Sequence, residues 1–262
     1  MSKQQWISII ASLGLIALLY FAFDTKPKEQ KEIERSRALV AESTDIQVLL
    51  KEAKEDLGMS SLGEIIRLEN ELEQTVLDSA KAELYKSLSG EWYAKGKHVI
   101  AGHYAQQVAE IEQTEESWSI AGTTYTIGLQ RSQDEKARQF AVNRAVQAFE
   151  SAISINPDNT AHQVNLALVY TSQPPEDNPM KGIQMLLQLN KEQPENVLVL
   201  VNLGRLAIQT GQFDRAEARL QKVLEVDPGN KSAICLLATV YAELGNASKA
   251  EAFQQRCTNN DQ

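Results

Sequence analysis

The residues able to do chemistry are few and poorly grouped. Gly90-Glu91-Trp92-Tyr93-Ala94-Lys95-Gly96-Lys97-His98 has the outline of a phosphate loop. It departs from the pattern where the chemistry is made. Five residues rather than four separate the glycines, no Ser or Thr follows the lysine, and the surrounding period is helical. The histidines are His98, His103 and His162. The first two stand five apart, on different faces of a helix, so the spacing predicts surface or edge residues and no shared metal. Cys235 and Cys257 are the only cysteines. They read as two small buried thiols or, in an oxidising compartment, as a pair. No Ser/His/Asp or Cys/His arrangement has local context, and the carboxylates are scattered over solvated faces. The expectation is a protein that is not an enzyme and carries no cofactor and no metal.

The composition bounds what could position such residues. Of 262 residues, 43% are hydrophobic and 23% charged, enough for a packed core and too apolar for wholesale disorder. Thirteen glycines, seven prolines and 6% aromatics are low for an all-β sandwich. Lys and Arg number 26 against 35 Asp and Glu, a net charge of −9, so no basic stripe offers itself to nucleic acid.

The apolar residues are unevenly spread. From Trp6 to Phe23 the chain carries no charge, and as a helix the run spans about 27 Å, close to a bilayer's hydrocarbon thickness. Trp6 and Tyr20 sit where interfacial aromatics belong. Phe21-Ala22-Phe23-Asp24 is a poor cleavage site, so residues 1–25 are expected to be an uncleaved single transmembrane anchor rather than a removed signal. A short tail before the run suits a prokaryotic inner (plasma) membrane. Lys26, Lys28, Lys31, Arg35 and Arg37 after the run favour a cytoplasmic soluble domain, but a long trailing domain can still be translocated, so the side stays open.

Residues 26–81 are charged and helical in period, and read as a helical linker or hairpin. Gly58 and Gly63 bracket an expected helix break. One apolar face runs through Leu39, Val40, Ile46, Leu49, Leu50, Ala53 and Leu57, a second through Leu62, Ile65, Ile66, Leu72, Val76, Leu77, Ala80 and Leu84. A heptad seam through Ile65, Leu72 and Val76 is broken by Glu69 and Glu83, which argues against a coiled-coil stalk.

The rest of the chain repeats. Pro157, Pro194 and Pro228 lie 37 and 34 residues apart, each ending a helical pattern. With Val197 as position 1, Leu203-Gly204 fall at 7 and 8, Ala216 at 20, Leu220 at 24 and Pro228 at 32, and Gly211-Gln212-Phe213 supplies the turn. The copy from Lys231 places Leu237-Ala238, Tyr241, Gly245 and Ala250 in register. The copy from Thr160 has Leu166-Ala167, Tyr170, Gly182 and Leu186, with extra residues in the turn Gln173–Pro179, where Asn178 reads as the cap of the next helix. The copy before it has Trp118, Gly122 and Tyr125, then an insertion, then Ala145, Phe149 and Ala152. A degenerate copy from Ala82 has Tyr85, Leu88, Trp92, Gly96 and Ala101.

This pattern resembles the tetratricopeptide repeat. The fold expected is all-α: a transmembrane helix, the linker, and an α-solenoid over 82–262 with repeats at 82–114, 115–159, 160–196, 197–230 and 231–257. Small residues at positions 8 and 20 let the two helices of a repeat approach, and no pair buries its apolar face alone, so stacking is compulsory. The resemblance implies a groove lined by each repeat's first helix at positions 2, 5, 6, 9, 12 and 13. These supply Asn165, Asn202, Arg205 and Gln209 as candidate partner-binding residues. Positions 2, 5 and 6 of the last three copies hold Ala161, Val164, Leu198, Val201, Ser232, Cys235 and Leu236 beside the two asparagines, so the family's carboxylate clamp is absent there. The implied function is a membrane-anchored scaffold for a protein or peptide partner, with a homo-oligomer left open. Its architecture is similar to single-anchor repeat proteins that assist secretion or cytochrome c biogenesis, a similarity that favours a periplasmic soluble domain where the flanking charge favours a cytoplasmic one. The alternative is a helical solenoid that binds a lipid or small apolar ligand.

Overall fold

The computed structural model describes residues 46–259. The run Trp6–Phe23, the rest of the proposed anchor, and Leu39 and Val40 of the linker lie outside them. The chain divides into two compact units, Met1–Lys51 and Glu52–Gln262. Of the first, residues 46–51 are described and are helical.

Every described element is a helix, joined by short connections: α1 (46–57), α2 (Met59–Gln74), α3 (Asp78–Ala94), α4 (His98–Glu112), α5 (Glu115–Arg131), α6 (Glu135–Ile155), α7 (Thr160–Ser172), α8 (Lys181–Glu192), α9 (Val197–Gln209), α10 (Phe213–Val226), α11 (Lys231–Glu243) and α12 (Ala247–Asn259). No helix among the described residues is long and apolar enough to cross a membrane.

From α3 onward the helices form successive hairpins, each packed on the next. Three of the five hairpin turns have glycine at position 15: Gly96, Gly211 and Gly245, with φ between 70° and 74°. A left-handed residue closes the first helix there, and an L side chain would strain it. The copies from 115 and 160 lack that glycine, and their turns differ. The insertion in the first does not form a loop. It lengthens α5 to 17 residues and α6 to 21, against 13 and 14 for α9 and α10. In the second, α8 starts at Lys181, later than expected, and Asn178 does not cap it: its amide donates to Gln184.

Between repeats the prolines act with an asparagine two residues on. Asn159, Asn196 and Asn230 precede α7, α9 and α11 and accept backbone N–H bonds from Ala161, Val199 and Ala233. Each turn thus stops one helix with proline and caps the next with an Asn oxygen.

The core is the layer between paired helices. A Cβ on Gly204 would lie 2.9 Å from Leu220, and one on Gly122 would lie 2.8 Å from Phe149, which are the position 8 to position 24 approaches the repeat requires. Gly182 meets the Ala167 carbonyl oxygen of α7 in the same way. Trp92, Tyr125, Phe149, Leu186, Leu220 and Leu237 fill the layers.

The preceding helices are corrected in detail. The break falls at Gly58 alone, and α2 runs through Gly63. The apolar period ends with α2, leaving Val76 and Leu77 exposed in the connection to α3. Leu62, Ile65 and Leu68 are buried, while Lys54 pairs with Glu69, and Lys97 with Asp56.

Candidate partner-binding groove

The first helices α3, α5, α7, α9 and α11 carry the groove positions, and their caps and turns fix how those positions face. Thr114 starts α5 with a reciprocal capping box to Ser117, whose N–H and hydroxyl it engages. That start sets one wall of a cavity of about 640 Å³. Lys86 and Ser89 of α3 form the opposite wall, Ala105 and Val108 of α4 the floor, and Ile120 of α5 the apolar rim. Ile120 is 53% exposed, unusual for an isoleucine on a well-packed helix.

The polar rim is largely committed within the fold. Lys86 bridges Glu83 and Glu112 at 2.8 Å each, which holds its ammonium charged well above the usual lysine range. The Ser89 hydroxyl donates to the Ala101 carbonyl. Glu116 stands exposed on the first turn of α5, where a carboxylate complements the helix dipole. The cavity therefore offers an apolar floor under an open, net acidic rim.

The four residues expected from the sequence lie elsewhere. Asn165 is half-buried on α7, and Arg205 and Gln209 are exposed on α9. Asn202 is 5% exposed, and its amide donates to Leu198 one turn earlier, so it is committed to α9 rather than offered to a ligand. None of them lines the cavity. The groove residues that do, Lys86, Glu116 and Ile120, occupy positions 5, 2 and 6 of the copies from 82 and 115. That register was readable, but those copies are the most irregular. Leu198 and Tyr93, at groove positions 2 and 12, are also exposed.

The histidines are not surface residues. His98 is 7% exposed with Nδ1 against the Gly96 carbonyl, and His162 is 4% exposed. Burial, helped by the nearby Arg144 charge, pushes His103 down to about 4. His162 belongs to a clasp that ties three elements at the joint between two repeats. Asn156 and Asn159, from the α6–α7 turn, and His162 Nε2, from α7, all donate to the Glu115 carboxylate at the start of α5, at 2.8, 2.5 and 2.5 Å. Those three bonds hold Glu115 down to about 2.

Cys235 and Cys257 form a disulfide between α11 and α12, with Cα atoms 5.0 Å apart. Among the described residues no group of three His, Cys, Asp or Glu could hold a metal ion.

Residues 178–229 and 213–262 match the tetratricopeptide-repeat family. No curated protein matches the chain. Solved structures with a similar fold include "Crystal structure of MamA protein", at 14% identity over 69% of this chain and 91% of that one, TM-score 0.43. A second is PilW, titled a widely conserved type IV pilus biogenesis factor, at 18% identity over 68% and 77%, TM-score 0.48. A third is YrrB, titled a TPR protein with an unusual peptide-binding site, at 16% identity over 74% and 91%, TM-score 0.39. Likenesses this distant carry nothing about activity.

Proposed function

We propose that the chain, whose residues 178–229 and 213–262 match the tetratricopeptide-repeat family, is a non-enzymatic, membrane-anchored repeat scaffold that seats a segment of a partner protein in its groove. The observation that carries this reading is the open cavity between α3 and α5, with exposed Ile120 over an Ala105–Val108 floor. An apolar side chain of a helical or extended segment fits the floor, and a Lys or Arg beside it meets the exposed Glu116 at the rim. Exposed Leu198 and Tyr93 extend the apolar track along other first helices.

The anchor in this proposal is Trp6–Phe23, in an inner (plasma) membrane. The Cys235–Cys257 bond supports the oxidising side for the repeats, against the count of flanking Lys and Arg. A partner held there would belong to the assembly or biogenesis of a membrane or envelope complex.

Ile120→Asp tests the cavity, because it places a charge on the apolar rim without touching a buried layer. Partner recovery by chemical crosslinking in membranes should fall at least tenfold while the melting temperature stays within about 2 °C, as for other exposed substitutions. Unchanged recovery removes the cavity from the account. The volume alone also favours a lipid or small apolar ligand. Native mass spectrometry of membrane-purified protein would turn the reading that way if it showed a bound small mass that I120D loses.

A further inference from the structure

Helix α12 is held differently from the helices before it. Over residues 247–258 it buries no side chain; Ala250, Phe253 and Cys257 are half-buried and the rest are exposed. By contrast α10 buries Ala216, Leu220 and Val223 completely. Among the described helices, α12 packs against α11. Its non-covalent hold is a single partly buried layer, Ala250 and Phe253 against the cluster of Leu237, Val240 and Tyr241, with the Phe253 ring tilted on Tyr241 at 5.3 Å, Lys249 over the same Tyr241 ring, a long Lys249–Glu217 ion pair at 3.8 Å, and Arg256 donating to the Pro228 carbonyl at 3.3 Å. Exposed ion pairs of this kind hold little. Against that background stands one covalent tie, between Cys257 near the end of α12 and Cys235 in the first half of α11.

We propose that the Cys235–Cys257 bond is a redox latch for α12: oxidised, it holds the helix on α11; reduced, it lets α12 leave while the hairpins before it stay folded. Closing the latch is thiol–disulfide exchange with a disulfide-form oxidoreductase of the compartment. The thiolate of one cysteine attacks the oxidant's disulfide, forming a mixed disulfide and expelling one of its sulfurs as a thiol. The second cysteine then displaces the other oxidant sulfur. In sum two protons and two electrons pass from the cysteine pair to the oxidant, which leaves as a dithiol. A dithiol reductant runs the same steps backward. Release of α12 uncovers the Tyr241 side of α11, where Phe253 and Lys249 now sit. The latch does not rest on the groove reading.

Hydrogen exchange on the full chain tests it, comparing the oxidised protein, the protein under a dithiol reductant, and Cys235→Ser/Cys257→Ser. The bonded residues are 22 apart, and opening such a loop costs protection on the order of a hundredfold. Reduction should therefore remove protection of that order from 247–259 and leave α9 and α10 unchanged. The double variant should match the reduced protein whatever the redox state. Equal protection of 247–259 in all three samples overturns the latch. So does loss that spreads equally through α9 and α10, which would make the bond a general staple.

Discussion

His103 is kept neutral on α4 by burial, and Arg144 nearby adds to the cost of charging it. Its folded value of about 4 lies below the ordinary 6.5, so the unfolded chain binds the extra proton first as the pH falls. The contribution is complete above about pH 6.5 and is lost progressively towards pH 4, amounting to as much as about 3 kcal/mol. His103→Gln should flatten the stability profile across that window in a denaturant titration; an unchanged slope would show that His103 charges freely in the fold. Glu115 acts in a lower range. Its bonds from Asn156, Asn159 and His162 hold it near 2 against an ordinary 4.5, so what it contributes is present above pH 4.5 and fades as the pH falls towards 2. Glu115→Ala leaves His162 buried without its partner and should lower the melting temperature by several degrees at pH 7. Neither site was visible in the chain order, because Glu115 and His162 are joined by a repeat turn that only folding brings back on itself.

At the scale of the helix pair, the contacts follow position along the repeat. Gly204 admits Leu220 and Gly122 admits Phe149, and a larger side chain at either forces the helices apart. Gly204→Leu should lower stability by about 1–3 kcal/mol, read as a fall in urea midpoint, and Gly204→Leu with Leu220→Ala should recover part of it. A full midpoint in the single variant would mean the register is wrong. This much was legible beforehand: Gly204, Leu220, Gly211 and the three turn prolines each state a local requirement that the fold meets. The N-terminal side was less so. Val76 and Leu77 continue a helical period in the sequence, but α2 ends at Gln74, so they fall on a connection and stay exposed. Groove position alone also does not say what a candidate side chain is free to do. Asn202 has the right position and the right side chain, but its amide satisfies Leu198 of its own helix. The cavity, by contrast, depends on the separation of α3 and α5 over α4, a tertiary distance that no spacing in one copy encodes.

For the whole molecule, the repeats and the disulfide support the proposed arrangement, with the repeats on the oxidising face of a membrane and a groove turned to a neighbouring protein, against the count of flanking Lys and Arg. The disulfide makes the side of the membrane testable. Trapping whole cells in acid and alkylating with a bulky maleimide should give no mass shift before reduction and a two-thiol shift after it; labelling without reduction would place the repeats in a reducing compartment. The claim at the centre, that the groove face and not the outer surface meets the partner, is tested most directly by photo-crosslinking in living cells. A photoreactive amino acid would be placed at 120 and 198 on the groove helices, and at Leu187, 44% exposed on α8, as a control. Positions 120 and 198 should trap one shared partner, lost on Ile120→Asp when trapped from 198, with little from 187. Crosslinks of equal yield from 187, or a partner from 198 indifferent to I120D, would contradict it.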